Sequence, residues 1–424
     1  MSQDILGVIV LLITLVLVVI PRVPLAITMT IGALLMMVIG AMTPTEVCGY
    51  FGNQVPVLLA ASGIVTAAIF ETGLASKVGE LLVKAKFLTG NEKVFLMVII
   101  IASGVMSIFV ANMPVVALFM PLIASVASTS NGRIQKKYAV MAMTFAVSMG
   151  GGGALIGATQ NLAGQAALQE LTGVSMTMFE MLPESLVALL VMLVFYATIG
   201  DRLQKKFFTF QEVADTDSEN GAEVKFQAGK AAISGLTFAG MIVLFIAGVW
   251  NFGAVALLGA IIVVLTGCIS WKKALTKVDW NTVIIIAMCT ALATGVNNSG
   301  AGALIANALL NLCGGESASP ILLLVVAILL SSVLGCFMQH NAIVTMLIPI
   351  FCTIALILNI DPVPFAVAVI VGSNNCFVTP IGTGPITMGM AAGYRFNDYV
   401  KVGTPLFILL DIILCIVIPL FHPF

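Results

Sequence analysis

Long apolar runs separated by short polar breaks dominate the chain. Most runs have about 16 to 20 residues, the length of a helix that crosses a bilayer, whereas a barrel strand needs only about 10 alternating residues. In the first half, the runs predict spans over residues 5–20, 25–42, 55–71, 138–167 and 186–199. The pattern therefore predicts an all-α integral membrane protein.

The apolar stretch over residues 93–127 is too long for one crossing. As a continuous helix it would measure about 50 Å, nearly twice the roughly 30 Å hydrocarbon core. Asn112 and Pro114 lie near its middle, where proline interrupts a regular helix. The stretch therefore predicts a re-entrant helical hairpin with Asn112 at its tip. Residues 321–357 repeat the pattern around Asn341 and predict a second hairpin.

The positions of the basic residues test the first hairpin. If residues 55–71 cross the membrane and residues 93–127 form the hairpin, all 18 Lys and Arg fall on one side. Exchanging these two roles moves some of them to the opposite side, namely Lys77, Lys84, Lys86 and Lys93. Because basic residues concentrate on the cytoplasmic side, the first arrangement is preferred, and it places both chain termini outside. No Lys or Arg lies between Lys277 and Arg395, so the second hairpin depends on repeat symmetry alone.

The second half repeats the order of the first. The second hairpin again lies between the third and fourth spans, and the spans are predicted over residues 231–249, 253–269, 283–296, 365–377 and 406–420. Each half therefore has five crossings and one hairpin. An odd number of crossings and a single linker on the cytoplasmic side make the two repeats inverted in the membrane.

Three segments outside the spans complete this arrangement. Amphipathic residues 74–88 predict a helix that lies in the membrane interface, and residues 301–312 predict its counterpart in the second half. Residues 201–229 are the one long hydrophilic stretch and predict a cytoplasmic linker. The first repeat then covers residues 1–200 and the second covers residues 230–424.

Glycines and prolines interrupt one span in each half. The first interruption contains Gly150 to Gly153 and then Gly157, and the second contains Gly382 and Gly384. Each glycine weakens a helix by about 1 kcal/mol relative to alanine, so the backbone is predicted to unwind there. Unwound backbone at membrane depth is tolerated only inside protein or beside a watery cavity. Inverted repeats with broken helices are typical of secondary transporters, whose ligand lies where the breaks meet.

Composition excludes several other classes of protein. The chain is 60% hydrophobic and 9% charged, whereas soluble domains carry about 25% charged residues. Its net charge of −1 excludes a strongly basic nucleic-acid surface. The eight cysteines show no paired spacing that would predict disulfides or a metal site. The N-terminal residues 1–4 carry no basic residue, so no cleaved signal peptide is expected, and no hydrolase motif predicts an enzyme or a cofactor.

The order of the polar motifs resembles a known family. An Asn-tipped hairpin, a broken helix containing residues 156–161, the same pair again and the ending over residues 393–403 resemble the divalent-anion:sodium symporter family of the ion transporter superfamily. The resemblance implies a homodimer in the cell membrane that moves a small anion together with sodium by an elevator mechanism. In an elevator, the hairpins and broken helices move against a fixed scaffold. The scaffold would be residues 1–90 and 230–316, and the transport part residues 91–200 and 317–424.

The resemblance also implies two sodium sites. The first would use Ser107, Asn112 and the carbonyl of Gly157. In the second, Cys336 stands where a hydroxyl would match Ser107, although a thiol is a poor sodium ligand. The other ligands of the second site would be Asn341 and the carbonyls of Gly382 and Gly384. Polar residues at the tips and breaks are the candidate contacts of the anion, namely Asn112, Thr159, Asn161, His340, Asn341, Thr379 and Thr383.

The predicted spans offer an anion no basic side chain at membrane depth. No Lys or Arg lies at membrane depth away from the helix ends, so helix N-termini, amides, hydroxyls and bound sodium would hold the anion. Family members usually have Ser-Asn-Thr at each tip, and neither Asn112 nor Asn341 has these neighbours. The substrate stays open between a di- or tricarboxylate and a sulfate-like anion. Asp411 is interpreted as a helix-end residue that reaches the membrane surface, with a proton site as the alternative. Proton coupling through His340 or Asp411, and an anion channel, are the competing functions.

Overall fold

The computed structural model describes residues 2–20, 23–75, 77, 91–130, 132–210, 226–315 and 318–424, and these residues form helices and no strands. The interfacial helix predicted over residues 74–88 lies almost wholly outside the described residues, as does the middle of the predicted linker. The beginning of that linker is helical, because a π-turn at Tyr196–Gly200 continues the last span of the first half into residues 201–207.

The first half begins with three helices that correspond to predicted spans and with a short helix between the second and the third of them. They are α1 (Gln3–Val19), α2 (Leu25–Val38), the short α3 (Pro44–Gly49) and α4 (Gln54–Glu71). The hairpin and the broken helix follow as α5 (Glu92–Phe109), α6 (Asn112–Thr129), α7 (Lys136–Gly151), α8 (Thr159–Thr172), α9 (Leu182–Phe195) and α10 (Asp201–Phe207).

The second half has the same order of elements. It begins with α11 (Ala228–Ala247), α12 (Phe252–Leu265), the short α13 (Trp271–Lys277), α14 (Trp280–Asn298) and α15 (Ala301–Leu312). The second hairpin and broken helix follow as α16 (Pro320–Gly335), α17 (His340–Ile357), α18 (Val363–Asn374), α19 (Gly384–Gly389) and the final α20 (Phe396–Phe421).

The helices have the length and composition of a membrane protein. Seven helical segments of the described chain are long and apolar enough to cross a bilayer, and seven shorter apolar helices of 10–17 residues accompany them. The prediction of an all-α protein with many membrane helices is confirmed.

The first predicted hairpin turns back on itself. If α5 and α6 continued in one direction, their two runs of 18 residues would extend about 54 Å. Instead, the Glu92 carboxylate at the start of α5 accepts a hydrogen bond of 3.2 Å from the backbone N–H of Gln135, just after α6. The two ends of the pair therefore lie side by side, and the turn is at Val110 and Ala111.

The second predicted hairpin shows the same packing. Both of its helices, α16 and α17, pack against the 12-residue α18, as α5 and α6 both pack against α7. Two consecutive helices of 16 and 18 residues can share one short partner only when they fold back on each other. The chain therefore reverses between Gly335 and His340.

Helix packing is reciprocal between the halves. The third helix span of the first half, α4, packs along α12, and its counterpart α14 packs along α2. Between the hairpins and the breaks, α17 packs along α8 and α6 contacts α19. This exchange of partners brings each hairpin tip to the broken helix of the other half. Inversion of the halves in a membrane stays a prediction.

Candidate functional site

The first hairpin tip gathers polar atoms around the Asn112 amide. Ser107 lies in the last turn of α5, and its Oγ is 2.6 Å from one terminal atom of that amide. The same terminal atom lies 3.2 Å from the carbonyl oxygens of Gly157 and Val147. If the nitrogen occupies this position, it donates to both carbonyls. If the oxygen occupies it, three acceptor oxygens lie close together, and a bound cation would compensate them.

Two glycines make room for this cluster. A Cβ atom on Gly151 would lie 2.0 Å from Asn112 Oδ1. A Cβ atom on Gly157 would lie 2.5 Å from the Gly151 carbonyl oxygen and 2.8 Å from that of Ser107. Gly157 therefore lies against Ser107 and Asn112, the residues with which it is predicted to share a sodium site. Any side chain at Gly157 would push the backbone of the break away from the backbone at Gly151 and Ser107.

The glycine run before the first break is helical at its start and unwound at its end. Backbone unwinding was predicted from Gly150 to Gly153, but α7 continues through Gly151 and the unwound residues are 152–158. A Cβ atom on Gly150 would lie 2.0 Å from the carbonyl oxygen of Gly104 on α5. Gly150 therefore permits close packing of the hairpin on α7, which explains a helical glycine in this position.

The first break meets the second hairpin tip. Thr159 begins α8, and its Oγ1 lies 3.3 Å from Asn341 Oδ1 in the first turn of α17. The next residue, Gln160, donates a hydrogen bond to the Asn374 side chain at the end of α18. Consecutive residues of one break therefore contact the tip and the break of the other half.

Asn161 stabilises the break itself. Its Nδ2 donates to the carbonyl oxygens of Gly151 at 2.8 Å and Ala154 at 2.7 Å, and the side chain is fully buried. Both of its N–H groups are therefore occupied by the unwound backbone. Asn161 was predicted as an anion contact, and only its buried oxygen, which has no hydrogen-bond donor within the described chain, is available to a ligand.

The second tip differs from the first. Cys336 Sγ contacts the Ser332 carbonyl oxygen of its own helix at 3.5 Å. In the part of the chain that the structure describes, no hydrogen bond joins Cys336 to Asn341, unlike the bond between Ser107 and Asn112. The thiol and amide predicted for the second sodium site thus do not repeat the arrangement at the first tip.

The remaining predicted residues surround this second tip. His340 is buried, with Nε2 3.1 Å from Cys376 Sγ. Thr379 donates to the Cys336 carbonyl and ties the second break to the hairpin. Thr383 caps α19 through its carbonyl oxygen, which accepts from the Thr387 N–H at 3.0 Å. Its side chain makes no capping hydrogen bond.

Glycines of the second break also lie at close contacts. A Cβ atom on Gly382 would lie 2.0 Å from the Gly335 carbonyl oxygen, and one on Gly384 would lie 2.7 Å from Met113 Sδ. Met113 follows Asn112 at the first tip. The contact therefore places the start of α19 beside the first tip, as Thr159 at the start of α8 lies beside the second tip.

Helix N-termini supply the positive potential of the site. The 18-residue α6 begins at Asn112, the 14-residue α8 at Thr159 and the 18-residue α17 at His340. Each has free N–H groups and about half a positive charge at its start. The described residues of this cluster include no Lys or Arg. An anion here would be bound by dipoles and amides, as the sequence predicted.

Asp411 contradicts its predicted role. It was interpreted as a helix-end residue that reaches the membrane surface, but it is only 4% exposed and points into the protein. Its Oδ2 accepts from Ser332 Oγ at 3.0 Å and its Oδ1 accepts from Asn375 Nδ2 at 2.9 Å. The error arose because sequence spacing does not show which face of α20 is covered by other helices.

Sequence reasoning missed several members of the cluster. Gln160 connects the two breaks, and Val147 contributes a carbonyl oxygen to the first tip. A backbone carbonyl leaves no sequence signal. Gln160 does leave one, because a buried amide in an apolar helix is rare without a functional partner.

The sequence matches a known family profile over most of its length. The profile is described as "Citrate transporter" (CitMHS) and matches residues 15–372 and again residues 243–422. One curated relative is the uncharacterized transporter YfbS of Escherichia coli, 29% identical over 158 residues. That alignment covers 37% of this chain and 26% of the relative, so it spans about a quarter of the relative's length.

Two longer comparisons cover nearly the whole chain. The sodium-dependent dicarboxylate transporter SdcS of Staphylococcus saprophyticus is 22% identical over 404 residues, which cover 88% of this chain and 77% of SdcS. The crystal structure of the YdaH transporter of Alcanivorax borkumensis superimposes with a TM-score of 0.63 at 15% identity, covering 89% of this chain and 87% of YdaH. The structural likeness shows a shared fold.

Proposed function

Because the chain belongs to the citrate transporter family, we propose that it is a secondary active transporter that couples sodium to the uptake of a small anion, either a di- or tricarboxylate or a sulfate-like anion. The relative SdcS, which is named as a sodium-dependent dicarboxylate transporter, supports both the anion class and the coupling ion. Sodium would be a transported substrate of the protein rather than a resident cofactor.

The observation that carries the proposal is the oxygen cluster at the first tip. With the Asn112 oxygen turned inward, Asn112 Oδ1 lies 2.6 Å from Ser107 Oγ and 3.2 Å from the carbonyl oxygens of Gly157 and Val147. Hard cations prefer such oxygen ligands. Without an ion, the Asn112 nitrogen can turn inward and donate to the two carbonyls. A sodium ion would replace that donor and bind the inward-turned Asn112 oxygen as well. Sodium would also bring a positive charge to a site whose described residues include no Lys or Arg.

The anion is proposed to bind next to this sodium ion. Thr159 and Asn341 provide a hydroxyl and an amide, and the N-termini of α6, α8 and α17 provide backbone N–H groups. Asn112, His340, Thr379 and Thr383 are proposed to line the same space. A carboxylate or sulfate is costly to desolvate alone, and the adjacent sodium charge would offset that cost.

A second sodium site is proposed at the second tip, weaker than the first. Asn341 and the carbonyls of Gly382 and Gly384 would provide oxygen ligands. Cys336 would contribute sulfur, which suits softer metals than sodium. Its thiol also contacts the carbonyl of Ser332. We therefore expect the first tip to determine the sodium affinity.

Transport is proposed to follow an elevator mechanism in a homodimer. Residues 91–200 and 317–424 would move together against residues 1–90 and 230–316. The reciprocal packing of α4 on α12 and of α14 on α2 supports two repeats related by a two-fold axis. The odd number of crossings predicted for each half would place that axis in the membrane plane. Both termini would then be extracytoplasmic and residues 201–229 cytoplasmic, which cysteine labelling from each side of intact cells would test.

Uptake into proteoliposomes tests the function. The purified protein would be reconstituted, and uptake of labelled citrate, succinate and sulfate would be measured with either sodium or potassium outside. We expect accumulation of at least one of these anions with sodium and little with potassium. Equal rates under both cations, with uptake driven by a pH gradient alone, would instead support proton coupling.

An anion channel is the alternative that electrical recording distinguishes. A carrier turns over at rates that give no resolvable single-molecule current, whereas a channel gives discrete openings. Recording from planar bilayers that contain the same reconstituted protein would therefore separate the two. Two separate hairpins reach the site, and each can close one of the paths by which a ligand would enter it. This arrangement favours a carrier over a channel.

A further inference from the structure

A buried carboxylate lies behind the second hairpin tip. Asp411 on α20 is held between Ser332 on the hairpin helix α16 and Asn375 at the second break. All three side chains are almost completely buried. A charged carboxylate in such a place is costly unless it is compensated, and the groups that donate to Asp411 are one hydroxyl and one amide.

The hydrogen bonds around Asp411 fit both of its protonation states. Ser332 Oγ lies 3.0 Å from Asp411 Oδ2 and 3.2 Å from the Leu329 carbonyl oxygen, but a hydroxyl has one hydrogen and donates to only one of them. When Asp411 is charged, Ser332 donates to it. When Asp411 is neutral, its own O–H donates to Ser332 Oγ, and the Ser332 hydrogen turns to Leu329. One proton is added, and no heavy atom has to move.

The amide on the other side of Asp411 has a fixed orientation. Asn375 Nδ2 donates to the Phe407 carbonyl oxygen at 3.0 Å as well as to Asp411 Oδ1 at 2.9 Å. The Phe407 carbonyl oxygen can only accept a hydrogen bond, so the nitrogen of the Asn375 amide, and not its oxygen, must lie beside it. The same NH₂ group then also faces Asp411 Oδ1. Asp411 Oδ1 therefore keeps its donor whether or not Oδ2 carries a proton.

The neighbourhood of Asp411 connects directly to the site. Ser332 lies one helical turn before Cys336, whose sulfur contacts the Ser332 carbonyl. Asn375 follows Asn374, which accepts the hydrogen bond from Gln160 in the first break. Asp411 therefore contacts the residue next to Asn374, which forms the contact between the two breaks. A change of charge at Asp411 would act close to that contact.

Few other titratable groups face Asp411 from the helices packed around it. They are thiols: Cys336 at the end of α16 and Cys415 on α20 itself. Two further helices, α9 and α10, pack against α20, and the two following contacts with them involve charged groups near its ends. Glu184 of α9 is beside His422, and Lys401 near the start of α20 lies over the Phe207 ring of α10. Asp411 is thus the one carboxyl within the middle of this described cluster.

The first half offers a natural comparison. Ser103 on α5 precedes Ser332 by the same number of residues that separates Asn112 from Asn341. It is also fully buried, but its Oγ donates to the Ile99 carbonyl oxygen of its own helix at 2.6 Å. The carboxylate is therefore a feature of the second half, where the proposed sodium site has a thiol in place of a hydroxyl.

We infer that Asp411, held by Ser332 and Asn375, is a proton-binding site whose proton is transported together with sodium and the anion. This inference rests on the proposed function for its role in transport. The charges balance for a dianion with one proton and one sodium ion, when only the stronger sodium site at the first tip is filled. The loaded carrier has neutral Asp411, Na⁺ and the dianion and carries −1 in total, as the empty carrier does through charged Asp411. Net transport is then electroneutral.

Proton entry during uptake is the first test. Proteoliposomes containing a pH-sensitive dye would be supplied with sodium and labelled succinate, or whichever of the three anions the wild type accumulates best. We expect about one proton to enter per dianion in the wild type. The Asp411→Asn variant keeps the shape and removes the titration, so proton entry should be lost. Proton entry in D411N equal to the wild type would overturn the inference.

Infrared titration tests the site without any transport. Protonated Asp411 gives a carboxylic-acid C=O band that disappears as pH rises and the proton is lost. This band should be present in the wild type and missing in D411N. Ser332→Ala removes one donor to the charged form, so the midpoint of that band should move to higher pH by about one unit. Ser103→Ala is the matched control and should leave the midpoint in place. An unchanged band in D411N, or an unmoved midpoint in S332A, would contradict the assignment.

The two tests separate this inference from the proposed function. If the wild type takes up none of the anions, the proposed function fails while the infrared titration still reports on Asp411. If uptake is driven by sodium but no proton enters and no band titrates, the proposed function stands and the proton site falls. S332A also covers the case in which D411N does not fold, as judged by its gel-filtration profile.

Discussion

Thr159 Oγ1 and Asn341 Oδ1 lie 3.3 Å apart, although 182 residues separate them in the sequence. Thr159 begins the helix after the first break, and Asn341 lies in the first turn after the second hairpin tip. The two halves of the chain therefore contribute to one cluster of polar residues. A ligand bound here would contact both halves at once, which is the condition for coupling their movement.

The first prediction concerns this pair. Thr159→Val keeps the size of the side chain and removes its hydroxyl, and Asn341→Ala removes the amide. A hydrogen bond to a charged group contributes roughly 1.5–3 kcal/mol, so KM for the anion should rise about 10- to 100-fold in each variant. Sodium-driven uptake at varied anion concentration measures it.

A threonine outside the site provides the control for this pair. Thr30 on α2 donates only to the Ala26 carbonyl oxygen of its own helix, and Thr30→Val should leave KM unchanged. If T159V and N341A also transport with the wild-type KM, the assignment of this pair to the anion site is wrong.

The second prediction concerns sodium at the first tip. Ser107→Ala removes one of the four oxygens around the proposed ion and leaves the anion contacts in place. The sodium concentration for half-maximal uptake should rise about 10-fold, with a smaller change in KM for the anion at saturating sodium. Ser62→Ala is the control, because Ser62 Oγ donates to Leu59 within its own helix. Equal sodium dependence in S107A and the wild type would remove Ser107 from the sodium site.

The third prediction concerns the geometry of the first break. In Gly157→Ala, the new methyl group would lie 2.5, 2.8 and 3.0 Å from three backbone carbonyl oxygens, and backbone cannot move aside as a flexible side chain can. Sodium-driven uptake should fall at least about 10-fold, because misplacement of the break by 1 Å is enough for such a loss. Gly63→Ala in α4 meets no atom of the described residues within 4 Å and should retain full uptake.

Thermal stability in detergent separates the two glycine variants further. G63A should be as stable as the wild type or slightly more so, since alanine favours a helix by about 1 kcal/mol over glycine. G157A should be less stable. A stable and fully active G157A would show that the break relaxes at no cost, and the close approach of Gly157 to the first tip would lose its functional meaning.

The sequence predicted the features that depend on local chemistry. Proline and asparagine inside an overlong apolar run predicted the turn at the first tip, and the predicted family resemblance is confirmed by the match to the citrate transporter profile. Glycine composition predicted the breaks to within a few residues. Each of these signals lies within one stretch of chain, so spacing alone is enough to recover it.

The pairing of distant residues could not be predicted in the same way. The contacts of Thr159 with Asn341 and of Gln160 with Asn374 depend on how the halves pack. Asn161 has the right chemistry for an anion, yet its N–H groups bind the unwound backbone. Asp411 was placed at the membrane surface because a single apolar helix does not reveal which of its faces other helices cover.

The last prediction concerns a pH-dependent contact at the C-terminal end of α20. His422 Nε2 lies 3.1 Å from the buried Glu184 carboxylate at the start of α9, and Nδ1 lies 3.7 Å from Glu180. The Glu184 carboxylate raises the pKa of His422 above its ordinary value near 6.5, although partial burial opposes this. The charged His422–Glu184 contact therefore stabilises the folded protein fully below about pH 6.5, and this stabilisation is lost as pH rises through the raised pKa of His422.

The thermal midpoint of the protein in detergent should follow this titration. We expect the wild type to lose about 2 °C between pH 6 and pH 9 from this contact, a small change because part of the histidine is accessible to solvent. His422→Gln keeps a polar side chain but cannot carry the charge, so its midpoint should lie below that of the wild type at pH 6 and equal it at pH 9. Uptake should be unaffected at both values, because His422 lies outside the site. A difference between H422Q and the wild type that stays the same at every pH would show that His422 acts through packing and that its charge contributes nothing.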